Sequence, residues 1–231
     1  MMPKILISIK DTHEASIIKD LKIDIIDLKE ISEPPMGFVG VKKIQAIKKI
    51  LPNTIMSVTM GNSRNPYSKK IIEIANEVAS SGINYMKIGL FSESQIINHE
   101  KFLKEIDLNE CKPVCVILID DTKDIHYLDR ISEIGYKGVM LDTINKKRSR
   151  VFDQLSDKEC ISFVKQSRKL GMTSGLAGSL TLSDLSKLSK INPDFIGFRG
   201  QLCEKQSNRF SLDRNAVVEL LSSSHLSAQR V

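Results

Sequence analysis

Eight short apolar runs recur along this 231-residue chain, each followed by a stretch with helical spacing. They are KILISI, DIIDLK, TIMSVTM, YMKIGL, PVCVILID, GVMLDT, MTSGLAG and DFIGFRG. Most are rich in Val, Ile or Leu, the character of parallel strands covered on both faces. Between them, SKKIIEIANEVASSG places Ile71, Ile74, Ala75 and Val78 on one helical face and ends on Gly82, a suitable C-cap. SDKECISFVKQSRKLG opens on a capping-box pattern, Ser156 with Glu159, and ends on Gly171. LDRISEIG and LSDLSKLSK follow the same logic. A strand–helix alternation repeated eight times predicts an α/β protein built as a single (β/α)8 TIM barrel. A doubly wound open sheet is the alternative; the eightfold count and the lack of a linker favour the barrel. The expected domain covers residues 1–222, with 223–231 a flexible tail.

The barrel makes certain charges peculiar. Alternate residues of a strand share a face. In DIIDLK, Ile26 and Leu28 suit the outer face against the helices, so Asp27 and Lys29 point inward near the strand's C-terminal end. In YMKIGL, Met86 and Ile88 face outward while Tyr85 and Lys87 face inward; in GVMLDT, Val139 and Leu141 face outward while Met140 and Asp142 face inward. Three strands thus aim ionisable groups into one interior, toward the end where barrel enzymes hold their active sites. Burying charge is costly, so such an interior needs a reason. One reason is a satisfied salt-bridge network, Asp27 with Lys29 or Lys87. The other is catalysis. A lysine in a partly desolvated site near other cations has a lowered pKa, and its neutral amine attacks carbonyls to give a Schiff base. Carboxylates beside it can move the protons that imine chemistry requires.

Two later stretches suit phosphate. GLAGSL follows strand seven, with Thr181 or Ser183 available to cap the next helix, and GFRG closes strand eight. Barrels often hold phosphate in these two loops. Gly178, Ser179 and Gly200 would bring backbone N–H groups close, and Arg199 would add a bidentate contact.

Other signals are weaker. The net charge of +6 comes from lysines spread along the whole chain without interleaved aromatics, which argues against a nucleic-acid partner. It suits a cleft that attracts a small phosphorylated molecule. The apolar part of MMPKILISIKDTHEA is too short for a signal peptide, and no run approaches a membrane span, so a cytoplasmic chain is expected. A homo-oligomer is also expected. Cys111, Cys115, Cys160 and Cys203 lack the spacing of a zinc site and are read as buried thiols. His13, His99 and His126 fall on helical stretches and are read as surface residues; His225 lies in the tail. No metal site and no organic cofactor is expected.

At DIIDLK, SVTMG, YMKIGL, VMLDTINK, LAGSL and GFRG with Cys203, the chain resembles the (5-formylfuran-3-yl)methyl phosphate synthase family of methanofuran biosynthesis. The resemblance implies a TIM-barrel lyase that condenses two glyceraldehyde 3-phosphate molecules into a furan aldehyde phosphate through a lysine Schiff base. The imine lysine would be Lys29. The resemblance implies catalytic roles for Asp27, Lys87 and Asp142 too, and adds Lys146, which alternation does not single out.

The chain departs from the family in two loops. After Lys29 the family runs through Asn-Pro and a Gly-rich turn; here the stretch is KEISEPPMGFVG, with Glu30 in place of the Asn. After strand three the family has Gly-Asp; here it is GNSRNP, with Asn62. Another class I aldolase acting on sugar phosphates would use the same lysine, and a non-catalytic phosphate-binding barrel would need none of this chemistry.

Overall fold

Each apolar run forms a strand. A computed structural model describes residues 3–120, 126–145, 149–204 and 209–228. The strands are β1 (Lys4–Ile9), β2 (Ile25–Leu28), β3 (Met56–Thr59), β4 (Tyr85–Leu90), β5 (Lys112–Leu118), β6 (Gly138–Asp142), β7 (Thr173–Leu176) and β8 (Phe195–Phe198). Each pairs in parallel with its neighbours in sequence, and β8 closes on β1, giving a complete eight-stranded barrel. Closure removes both sheet edges, so no backbone ladder is left open to water.

Around it lie α1 (Thr12–Ile18), α2 (Val41–Ile50), α3 (Lys69–Ser80), α4 (Ile96–Glu105), α5 (Leu128–Glu133), α6 (Val151–Gln154), α7 (Asp157–Lys169), α8 (Leu185–Ile191) and α9 (Arg214–Ala228). The sequence signals for α7 are realised directly. Ser156 Oγ accepts from the Glu159 amide, and the Glu159 carboxylate accepts from the Ser156 amide. Gly171 then leaves the helix at φ +72°, a conformation that costs glycine least. Helix α9 runs on to Ala228, past residue 222 where the domain is expected to end, with Val217, Leu220 and Ser224 buried along it.

The strand alternation sorts the apolar residues into two cores. Outward residues, among them Ile26, Leu28, Met86, Ile88, Val139 and Leu141, pack with the helices. Inward residues, among them Leu6, Ile25, Val114, Val116, Met140 and Phe195, fill the barrel itself. Toward the C-terminal mouth, Ser8, Asp27 and Asp142 take inward positions of β1, β2 and β6 beside this apolar fill.

His99 corrects the sequence reading. It lies on α4 but is buried, not on the surface, sharing the inner face with Ile96 and Phe102 at three-residue spacing. Its Nδ1 shares a 2.6 Å hydrogen bond with the Tyr136 hydroxyl. Burial holds the imidazole down, to about 4; the nearby Gly89 carbonyl offsets part of this, although Nε2 makes no hydrogen bond of ordinary geometry. His13 is exposed on α1, and His126 is exposed in the turn before α5.

A pH dependence of stability follows. Between about 6.5 and about 4 the unfolded chain binds a proton at His99 that the folded chain refuses, so stability must fall as pH falls through this window. The slope from this residue is at most about 1.4 kcal/mol per pH unit. Urea melts across the window should show His99→Gln with a flatter profile than the wild type. Parallel profiles would mean that His99 titrates normally in the folded state.

Candidate active site

The C-terminal mouth of the barrel holds a small polar cleft, lined by Ser8, Asp27, Lys29, Lys87, Asp142 and the loops after β7 and β8. All four ionisable residues named from alternation point into it. Asp27 and Lys87 are 1% and 4% exposed, Lys29 and Asp142 7% and 5%. At such burial each charge requires a partner, and each has one.

Asp27 sits in the middle of the network. Register pairs it with Ser8 on β1 and Ser57 on β3. Both hydroxyls donate to it, Ser8 to Oδ2 at 2.9 Å and Ser57 to Oδ1 at 2.6 Å. The Lys87 ammonium meets Oδ1 at 2.6 Å. These contacts orient the Asp27 side chain, which in turn fixes Lys87 in place. Lys29 follows directly after β2, and its ammonium lies 3.6 Å from Asp142 Oδ2. The other Asp142 oxygen accepts from the Thr143 amide at 2.8 Å. The Lys29–Asp142 contact is thus longer than the Lys87–Asp27 contact, an ion pair outside direct hydrogen-bond reach. Lys146 lies outside the described residues.

The loops after β7 and β8 supply backbone. Gly178 and Ser179 both have positive φ, +101° and +54°. The Gly178 carbonyl accepts from the Val151 amide and the Ser179 carbonyl from Arg150 Nε. In a trans peptide the N–H points opposite to the carbonyl. The amides of Ser179 and Leu180 are thereby turned from α6 toward the cleft that these residues line. Gly178 has a packing reason as well: a Cβ there would lie 3.0 Å from Thr143 Cγ2. Thr181 precedes the short 3-10 turn Leu182–Asp184 that leads into α8, and its amide and hydroxyl both donate to the Asp184 carboxylate.

Arg199 is corrected. The sequence reading gave it a direct phosphate contact, but its side chain turns to Glu14 on α1. Nη1 and Nη2 bond the two Glu14 oxygens at 2.6 and 2.9 Å. The remaining donors bond the Ser8 carbonyl and, twice, the Arg209 carbonyl. All five N–H groups of the guanidinium are used. Arg199 stitches β8 to β1 and to the segment around Arg209, and has no donor left for a ligand.

The loops after β2 and β3 form one construction. Asn62, after β3, accepts from the Met36 amide at 3.0 Å and donates to the Glu33 carbonyl at 2.9 Å. Thr59 Oγ1 donates to the Gly37 carbonyl, and Glu30 pairs with Lys43 at 3.0 Å. Burial would raise the Glu30 carboxyl, but Lys43 and Ser32 bring it down, to about 2. The loop after β2, with its cis Pro34–Pro35 bond, is thereby folded over the mouth, and it seats Met36 against Phe91 in the barrel interior.

A larger cavity of about 440 Å³ opens at the opposite mouth, walled by Leu6, Ile25, Tyr85, Val114 and Phe195. Its walls are mainly apolar, and of the paired carboxylate network it meets only Lys87 and Ser57. Of the cysteines, Cys111, Cys115 and Cys160 are buried, and burial raises all three thiols. Among the described residues no three His, Cys, Asp or Glu side chains are grouped to hold a metal ion, and no helix is long and apolar enough to cross a membrane.

Sequence reasoning missed Ser8, Ser57, Glu14 and Arg209. The two serines were accessible to it, since they occupy inward positions of KILISI and TIMSVTM by the same alternation. Glu14 and Arg209 carry no periodic signal.

Solved structures of the same architecture include N-(5'-phosphoribosyl)anthranilate isomerase from Pyrococcus furiosus, at TM-score 0.62 and 14% identity, covering 97% of this chain and 99% of that one. Another is 3-keto-L-gulonate-6-phosphate decarboxylase from Vibrio cholerae, at TM-score 0.59 and 14% identity, covering 96% and 98%. At such identity they speak for the barrel alone. Sequence relatives are more specific. The (5-formylfuran-3-yl)methyl phosphate synthase of Methanococcus aeolicus is 30% identical over 94% of this chain and 97% of its own. That of Methanocaldococcus jannaschii is 28% identical with the same coverage. The family model described as 4-HFC-P synthase matches residues 5–221, the entire barrel, and the chain belongs to that family.

Proposed function

We propose that this chain is a lyase of methanofuran biosynthesis that joins two glyceraldehyde 3-phosphate molecules into a furan aldehyde phosphate. The observation that carries the reading is Lys29 facing Asp142 across 3.6 Å, beside a second lysine locked to its own carboxylate. In this reading Asp142 takes a proton from the Lys29 ammonium, and the amine adds to the carbonyl of the first triose phosphate. Loss of water gives an imine, which serves as the electron sink. The carbon beside it loses a proton and attacks the aldehyde of the second triose phosphate. One phosphate and two waters leave before the ring is complete and the imine is hydrolysed. Asp142, Lys146 and the Lys87–Asp27 pair are the groups available to move those protons. No organic cofactor is needed for this sequence of steps. The backbone at Gly178, Ser179 and Gly200 would hold substrate phosphate.

The rewritten loop after β2 favours a second reading, a class I aldolase that uses the same lysine on another sugar phosphate. Incubation with glyceraldehyde 3-phosphate distinguishes the two. A furan aldehyde phosphate should appear by mass spectrometry, with the near-ultraviolet absorbance of a conjugated aldehyde and release of inorganic phosphate. An unmodified aldol product without phosphate release would replace the first reading with the second.

A further inference from the structure

Three of the four cations lining the cleft have a carboxylate of their own among the described residues: Lys87 with Asp27, Lys29 with Asp142, and Arg199 with Glu14. The fourth, Arg209, has none. Its guanidinium is half-buried in the wall of the cleft, and none of its N–H groups is spent on a described residue. Burial pushes it down from its ordinary value, and the Asp142 charge draws it back only from beyond ion-pair distance. A partly desolvated cation without an anion is costly to keep.

The fold keeps it there nonetheless. The Arg209 carbonyl accepts from Arg199 Nε at 3.0 Å and Nη2 at 2.6 Å, and Cys203 Sγ lies 3.4 Å away. These bonds hold Arg209 at φ +82°, a left-handed conformation unfavourable for a long side chain. Gly200 leaves room for the guanidinium: a Cβ there would lie 3.3 Å from Arg209 Nη1. The unpaired fork therefore stands at the start of the turn after β8, in the same cleft wall as the Ser179 and Leu180 amides.

We infer that Arg209 is the cation that receives a substrate phosphate group in this cleft. The inference deepens the reading of the cleft as a triose phosphate site and rests on it. A phosphate offers several oxygens at once, so two can meet the planar guanidinium while a third accepts backbone N–H groups. This assigns the charged phosphate contact to Arg209 and leaves Arg199 as the strut beneath it.

Two measurements on the full chain test this. The first is binding of inorganic phosphate and of glyceraldehyde 3-phosphate by calorimetry. The second is borohydride trapping of phosphate-free glyceraldehyde on Lys29, which reads imine formation without a phosphate contact. Arg209→Ala should weaken both phosphate ligands roughly ten- to a hundredfold, the effect of losing a charge-assisted contact. Trapping of glyceraldehyde should stay at the wild-type level. Arg209→Gln, which retains a long polar side chain without charge, should lose nearly as much. Wild-type phosphate affinity in both variants overturns the inference. So does equal loss of phosphate binding and glyceraldehyde trapping, which would mark a general disturbance of the cleft. If the wild type traps nothing on Lys29 while phosphate binding still depends on Arg209, the imine reading falls and the phosphate assignment stands.

Discussion

Borohydride reduction in the presence of glyceraldehyde 3-phosphate is expected to leave a covalent adduct on Lys29, and Lys29→Met is expected to abolish both adduct and turnover. Of the two buried lysines, Lys87 is clamped at 2.6 Å to a carboxylate that two serine hydroxyls already orient. Lys29 meets its carboxylate at 3.6 Å, in the cleft that Gly178 and Ser179 also line. A nucleophile must surrender its proton and leave its ion pair, and Lys29 gives up less in doing so. Fold stability should change little in Lys29→Met, because Asp142 retains the Thr143 amide and the pair that is lost is long. Peptide mapping that puts the adduct on Lys87 or Lys146 would reassign the nucleophile. A folded Lys29→Met protein that still turns over triose phosphate would remove Lys29 from the chemistry altogether.

How far the site could be read from the sequence depends on which geometrical rule governs each residue. Strand alternation has a period of two, so the inward direction of Asp27, Lys29, Lys87 and Asp142 was legible. Their heights were not. In a closed barrel the stagger between strands decides which inward residues meet. Register sets Asp27 level with Ser57 and Tyr85, and Lys87 level with Thr59. The expected crowding of cations is thus replaced by two separate lysine–carboxylate pairs. His99 was legible in principle, since Ile96, His99 and Phe102 share one helical stripe; a polar residue type was allowed to outweigh its position. Arg199 was not legible in the same way. Its partner Glu14 is 185 positions away in sequence, and nothing local distinguishes an arginine aimed at a ligand from one aimed at a carboxylate. The two loop departures could be noted singly, but their connection through Asn62 required the fold.

Lys87→Met, by contrast with Lys29→Met, is expected to cost stability as well as activity. Removing the ammonium leaves the Asp27 carboxylate, 1% exposed, with only the Ser8 and Ser57 hydroxyls to replace water. Breaking one side of a buried pair in this way typically costs about 3–5 kcal/mol. At about 2–4 °C per kcal/mol for a chain of this size, the melting temperature should fall by roughly 6–20 °C. The size of the loss depends on the stranded charge, which gives the prediction an internal control. In the double variant Lys87→Met with Asp27→Asn, no charge is left behind. The new amide can donate to one serine oxygen and accept from the other hydroxyl, so most of the lost melting temperature should return. Activity should not return with it, because the proton-carrying pair is gone. Thermal melts of the wild type, both single variants and the double variant complete the cycle. If the double variant melts as low as Lys87→Met, the cost lies in lost packing of the lysine chain, and Asp27 is not the anion that Lys87 compensates. If it melts normally and still turns over triose phosphate, the pair is structural and the chemistry belongs to Lys29 and Asp142 alone.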